Sequence, residues 1–435
     1  MRARRNENEF AKIKILRVLV LVLEFFDYEN ENEDEDDKKM YPNSPISPPP
    51  KITFDRLQLA AVAGLMFLGA AFVFSATTAG DTAWMRQIFW YVLGLGAAAA
   101  VCVLDYHTLA RWSFVVYWAA ILCLVAVLIP HIGTTHGWGA RRWIDLPFYQ
   151  FQPSEFAKLA FILAGANFLS RPPDELKLPE NFWKSIGLMM LPFVLIMKEP
   201  DLGSALVLVP TGLVMMLVAG TPRKFLIRLG VVCGIFGSLF LMDILFAPPN
   251  WQIKLEDYQR QRLLVYFGKD FAPANATPAQ KAEARELQKK RSYQGQQALI
   301  SVGSGGFWGA GWCNGKQTAL QFMPSGAAHN DFIFSVIAEE EGFVGSVMVL
   351  TLYAVVLFSG LRVAGQARDR LGKLVAVGVV TLLFSHVFVN IGMNIRIVPV
   401  TGIPLPLLSY GGSSVLCSLI ALGLVQNIHI HRKGY

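Results

Sequence analysis

The sequence predicts an all-α fold, a polytopic integral membrane protein of about ten transmembrane helices with a large extracytoplasmic loop before the eighth. Three observations carry this expectation. Of 435 residues, 53% are hydrophobic and only 16% are charged, where soluble domains carry roughly a quarter charged residues. Mean hydropathy is +0.41. Apolar runs near the ~20 residues needed to cross a bilayer recur along the chain, and they are apolar all round instead of striped on one face.

The helices are expected at about 57–76, 86–104, 109–129, 154–170, 184–198, 202–220, 225–246, 332–361, 373–394 and 413–430. Short loops set the orientation, because lysine and arginine collect on the cytoplasmic side. One set holds Lys51, Arg56, Arg111, Arg171, Lys177, Lys184, Arg223, Lys224 and Arg228, then Arg362, Arg368, Arg370, Lys373, Arg432 and Lys433. The opposite set holds chiefly Arg86, Arg141, Arg142 and Arg396. Both termini are therefore expected in the cytoplasm.

Residues 1–50 read as a separate tail. They hold eight Lys/Arg against eleven Asp/Glu, and Ile13–Phe26 is too short and too charged to span. The acidic run Glu29–Asp37 and the proline-rich Pro42–Pro50 predict disorder, and the segment is expected to be dispensable, an overextended start with Met40 as the true initiator. Residues 51–435 form the membrane domain. Within it, 247–331 is the long external loop, where Thr277-Pro278-Ala279-Gln280 predicts the start of a surface helix. The stretch Arg396–Ser414 is too rich in Pro and Gly for regular helix, so it needs a protein cover or a wet cavity.

The formal net charge of +7 is spread over short loops, which argues for membrane orientation and against nucleic-acid binding. Cys102, Cys123, Cys233, Cys313 and Cys417 show no CxxC spacing, so neither a disulfide framework nor a zinc site is expected.

Ionisable groups in apolar segments are costly, and each is a functional candidate. Glu155 and Lys158, three apart at the start of the fourth helix, are either a buried ion pair that fixes packing or part of a site. Asp201, after Pro200, is either a helix cap or a site carboxylate. Asp331 stands where the long loop enters the eighth helix, and Glu339, Glu340 and Glu341 follow within it. A cap explains Asp331 alone but not this density of acids. Ser301–Gly311, with five glycines, resembles a phosphate loop only superficially, because the Walker lysine and hydroxyl are missing.

Taken together, Gly139–Lys158, Lys198–Ala205, Gln296–Gly342 and Asn390–Ser414 resemble the SEDS family, the membrane-embedded peptidoglycan polymerases. The resemblance covers essentially all of 55–435. Asn390-Ile391-Gly392-Met393, Pro399–Pro406 and Asn314-Gly315-Lys316-Gln317 are closer to its elongation branch, RodA, than to its division branch, FtsW. The resemblance implies polymerisation of lipid II into a nascent glycan strand beside a class B penicillin-binding protein transpeptidase, within the elongation machinery of the bacterial inner membrane. It implies that Asp331 is the family's essential aspartate. Glu155 and Lys158 match its paired charges, Asp201 its Pro-Asp-Leu-Gly aspartate, and Ser409–Ser414 its late periplasmic signature, which makes Ser409 and Ser413 substrate-binding candidates. Asn330 stands where the family carries threonine, and Glu341 where it carries an apolar residue.

Glycan extension needs a sugar hydroxyl to attack an anomeric carbon that carries a lipid diphosphate. A positioned carboxylate can take the hydroxyl proton, a role expected of Asp331 with metal ligation as its alternative. A helix start should keep this acid ionised. The leaving diphosphate needs positive charge from Arg141, Arg142, Lys158 or a divalent cation, Mg or Mn. The competing readings are a lipid II flippase or ion-coupled transporter, since intramembrane acids also mark transport paths, and a scaffold that only activates its partner.

Overall fold

All ten expected segments are helical, and their bounds follow from local chemistry. The computed structural model describes residues 53–432 except 78–80, 135–140, 148, 247–256, 270, 272–276, 321 and 323–327. The first two helices are α1 (Arg56–Ala76) and α2 (Ala83–Val103). The third segment is divided by Trp112 into α3 (Tyr106–Arg111) and α4 (Ser113–Leu128). A three-stranded antiparallel sheet follows: β1 (Gly133–Thr134), β2 (Trp143–Leu146) and β3 (Tyr149–Phe151). Next come α5 (Pro153–Leu169), α6 (Pro173–Leu176), α7 (Pro179–Lys198), α8 (Leu202–Ala219) and α9 (Arg223–Phe246). Asp55 and Asp105 cap α1 and α3 through their carboxylates, and proline opens α5 and α7 where its missing N–H costs nothing.

The long loop contains α10 (Asp257–Tyr266), α11 (Pro278–Ser304) and α12 (Lys316–Ala319). The expected helix at Thr277-Pro278 is α11; α10 was not foreseen. The bundle closes with α13 (Ile333–Gln366), α14 (Arg370–Asn394) and α15 (Gly412–His431). Among the described residues, seven helices, α1, α2, α8, α9, α13, α14 and α15, are long and apolar enough to cross a membrane, with α4 a shorter apolar helix. The chain is an all-α multi-pass membrane protein with a small sheet, and α15 packs along α2 while α13 packs on α1 and α14. Helix α9 packs on the bundle through Phe225, Leu226 and Leu229 in its first turns, and beyond them Ile244 is its one buried side chain. The expected tail at 1–50 lies outside the described residues.

Glu339 and Glu340 have a structural explanation. Helix α13 breaks at Gly342, whose φ is +63, and the glycine-rich loop docks into the break. Ala310 N–H and Gly311 N–H donate to the carbonyls of Glu339 and Glu340 at 3.0 and 2.8 Å, and Phe343 N–H donates to Gly306 at 2.9 Å. The Glu339 carboxylate accepts from Gln317 N–H at 2.7 Å. The Glu340 carboxylate accepts from Ser75 and from Cys313 N–H. The glycines therefore permit backbone approach, and Glu339 and Glu340 anchor that loop and the residues after it, not Asp331. A Cβ at Gly309 would stand 2.1 Å from the Glu340 carbonyl. Gly309→Ala should lower thermal stability in detergent by about 1–3 kcal/mol, read as the shift in the melting midpoint.

The irregular stretch between α14 and α15 meets both conditions set for it. Ile403, Leu405, Leu407 and Leu408 are buried, while Gly402, Pro404, Tyr410 and Gly411 line a cavity. Helix side chains satisfy its carbonyls: Arg262 donates to Thr401, Asn390 to Ile403, Tyr353 to Pro406, Tyr91 to Leu407 and Gln87 to Ser409. Non-helical backbone at this depth needs such partners.

Candidate active site

The irregular stretch, the sheet, and the starts of α8, α13 and α15 surround a cavity of about 710 Å³, within the range of about 300–1,000 Å³ usual for small-molecule sites. Arg142 enters it from just before β2, Asp201 from the start of α8 and Asp331 from just before α13. Arg86 and Trp90 reach it from α2, Gly402 and Pro404 from the loop, and Ser413 from the first turn of α15.

Asp331 is half-buried in the cavity wall. Its Oδ2 lies 3.4 Å from where a Cβ on Gly402 would stand, and Gly402 has φ +77. Any other residue there would be strained by this φ, and its Cβ would lie in van der Waals contact with the carboxyl. Burial pushes the Asp331 carboxyl up to about 6, with Arg262 and Arg142 opposing and Asp201 reinforcing the rise. The expected preference for the ionised form at a helix start is thus corrected. Helix α13 begins two residues later, with Phe332 at its cap, and desolvation outweighs the nearby cations.

Arg142 donates through Nη2 to the Pro200 carbonyl. Asp201 is both cap and wall: its Oδ1 accepts from Ser204 N–H at 3.2 Å, and Gln152 Nε2 donates to its Oδ2 at 3.4 Å. Beside them, Glu199 is 0% exposed, and neither carboxyl oxygen has a hydrogen-bond partner among the described residues. Burial first, and Asp201 second, push Glu199 up to about 9 against the pull of Arg142. Held toward its neutral form, Glu199 does little to neutralise Arg142, which also acts on the Asp331 carboxyl.

The remaining sequence candidates divide. Ser413 is in the wall, but its hydroxyl is occupied, 2.6 Å from the Tyr149 hydroxyl, accepting from Gln152 N–H and donating to the Gln150 carbonyl. It knits β3 to α15. Four residues assigned to substrate binding need correction. Glu155 and Lys158 are 4% and 1% exposed and pair at 2.7 Å, away from the cavity lining. Lys158 Nζ also lies 2.9 Å from His386 Nε2, so this ammonium cannot meet a diphosphate. Ser409 is buried and its hydroxyl accepts from Leu405 N–H at 2.8 Å. Arg141 is exposed and outside the lining.

Sequence reasoning missed Arg86, Trp90, Tyr149 and Arg262 as parts of this neighbourhood. The Trp90 and Tyr149 rings lie 4.6 Å apart between centroids, tilted by 45°. Gly412 must be glycine because a Cβ would meet Trp90 at 2.6 Å. Arg86 lies 5.7 Å from the Tyr410 ring centroid. The aromatic and β-branched Trp143, Ile144, Tyr149 and Phe151 were the available signal for strands, but runs this short are hidden among apolar helices. Among the described residues, no three His, Cys, Asp or Glu side chains are grouped to hold a metal ion. No step is assigned to the expected Mg or Mn.

Residues 52–434 match the family model of cell cycle proteins FtsW, RodA and SpoVE. Peptidoglycan glycosyltransferase MrdB of Escherichia coli (strain K12) is 34% identical over 385 residues, 88% of this chain and 95% of that protein. Among solved structures, a chain from a study of how a peptidoglycan synthase complex coordinates polymerization and crosslinking superposes with TM-score 0.70 at 30% identity. That match covers 88% of this chain and 100% of the other. The crystal structure of Thermus thermophilus rod shape determining protein RodA gives 0.60 at 28% identity, over 89% of this chain and 100% of its own.

Proposed function

The chain belongs to the FtsW, RodA and SpoVE family, and on that premise we propose that it polymerises lipid II into glycan strands during cell elongation, with Asp331 as general base. The observation that carries this reading is a carboxyl at about 6 in the wall of a cavity shared with Arg142. A base with its pKa near working pH combines availability with proton affinity.

The sugar hydroxyl of one substrate attacks the anomeric carbon of the other from the face opposite the diphosphate, so the configuration inverts. As the new C–O bond forms, Asp331 takes the hydroxyl proton and the C–O bond to the diphosphate breaks, its electron pair leaving with the phosphate. Arg142 faces the charge that develops there, and Arg86 adds positive potential at the rim. The protein sits in the bacterial inner membrane with both termini cytoplasmic and the cavity on the periplasmic side. The lipid tail stays in the bilayer while the sugars reach the cavity. A class B penicillin-binding protein is the transpeptidase partner, a reading supported by the synthase complex among the structural relatives.

The test is purified protein, with and without that partner, given fluorescent lipid II in detergent. Glycan ladders support the proposal, whereas translocation of intact lipid II in vesicles without polymer overturns it in favour of transport. The pH profile is a further expectation. Protonation below about 6 removes the base, so kcat/KM should fall as pH drops through about 6, not through the ordinary carboxylate range near 4.

A further inference from the structure

Helix α14 carries His386, Asn390 and Asn394 four residues apart, so they form one stripe along its face. All three are buried, and none lines the cavity. Asn390 Nδ2 donates to the Asp331 carbonyl at 2.9 Å and to the Ile403 carbonyl at 2.7 Å, spending both amide hydrogens on two different segments of the cavity wall. Asn394 Nδ2 donates to the same Asp331 carbonyl at 3.3 Å. Its Oδ1 accepts from Ser335 N–H at 3.2 Å and from the Ser335 hydroxyl at 2.5 Å, in the first turn of α13.

His386 extends the stripe into the buried ion pair. An ammonium can only donate, so Lys158 Nζ donates to His386 Nε2, and the ring proton must sit on Nδ1. The ring donates to the Pro404 carbonyl. A continuous chain of bonds thus runs from Glu155 through Lys158 and His386 to Pro404, beside the Ile403 carbonyl held by Asn390.

We propose that this stripe is the positioning device of the site: Asn390 and Asn394 lock the backbone of Asp331 to the Gly402–Pro404 wall, and His386 ties that wall to the buried Glu155–Lys158 pair. The proposal rests on the reading of Asp331 as the base. It gives the ion pair a part in the reaction without contact to substrate. These are positioning residues, acting through where Asp331 stands relative to the attacking hydroxyl, and a displacement of about 1 Å at such a group can cost about 100-fold in rate.

The experiment compares parent, Asn390→Asp, His386→Gln and His386→Leu in the fluorescent lipid II assay, over a range of lipid II concentrations. Folding is checked by monodispersity and melting midpoint. Asn390→Asp keeps the side-chain volume but turns both donors into an oxygen that faces two carbonyls. It should lose turnover by about 100-fold while KM changes by less than about threefold. Glutamine at 386 can accept from Lys158 and donate to Pro404, and should stay within about threefold of parent; leucine can do neither and should fall at least about tenfold. A purely structural role would lower the folded yield and leave turnover per folded molecule at the parent value, which overturns the proposal. Should Asn390→Asp not fold, the His386 pair decides, and equal rates for glutamine and leucine overturn it. A parent that makes no polymer removes the functional reading and this one together; an active parent whose variants match it removes this one alone.

Discussion

Asp331→Asn should yield a folded protein that extends no glycan. Asparagine keeps the shape and leaves the Asn390 bond to the backbone carbonyl intact, but it cannot accept a proton. Loss of a general base typically costs about 10²–10⁴-fold, enough to erase a ladder on a gel. Initial rates per folded molecule make the measurement, with the melting midpoint as control. A residual rate within tenfold of parent would place the base elsewhere, with Asp201 the next carboxylate in the same wall.

Lys158→Met should strike stability before catalysis. It strands the Glu155 carboxylate, 4% exposed, with its cation removed, and breaking a buried pair from one side costs about 3–5 kcal/mol. The expected result is a sharp fall in folded yield and melting midpoint in detergent. The double variant Glu155→Leu with Lys158→Met should recover much of that loss, because two apolar side chains remove the stranded charge. Its turnover should remain low, since the link through His386 is gone. If Lys158→Met folded at the parent's stability and only raised KM for lipid II, the lysine would belong to the substrate after all.

The two variants separate what the residues looked like in the chain from what they became in the fold. Glu155 and Lys158 stood out as charges in an apolar run, and their spacing on one helix turn made a mutual pair legible. That the pair points at His386, 228 positions away, was not legible, and assigning Lys158 to the diphosphate was the resulting error. Asp201 could be read as cap or site residue; it caps α8 and also lines the cavity. Glu339–Glu341 drew attention by their density, but the Glu339 and Glu340 carboxylates meet Gln317, Cys313 and Ser75, contacts that no local pattern announces. Glu199 went unremarked beside Asp201, because an acid at a helix end looks ordinary until its burial is known.

From the chain alone came the all-α membrane architecture, the placement of ten helical segments, the surface helix beginning at Pro278 and the prominence of Asp331. These follow from hydropathy, capping and proline chemistry, which act over a turn or two of backbone. Only the tertiary structure decided that Arg142, Asp201 and Asp331 share one cavity, that Lys158 and Ser409 lie outside it, and that burial outweighs a helix start in setting the Asp331 proton affinity. Those outcomes depend on desolvation and on bonds between segments hundreds of residues apart, and such energies have no local signature.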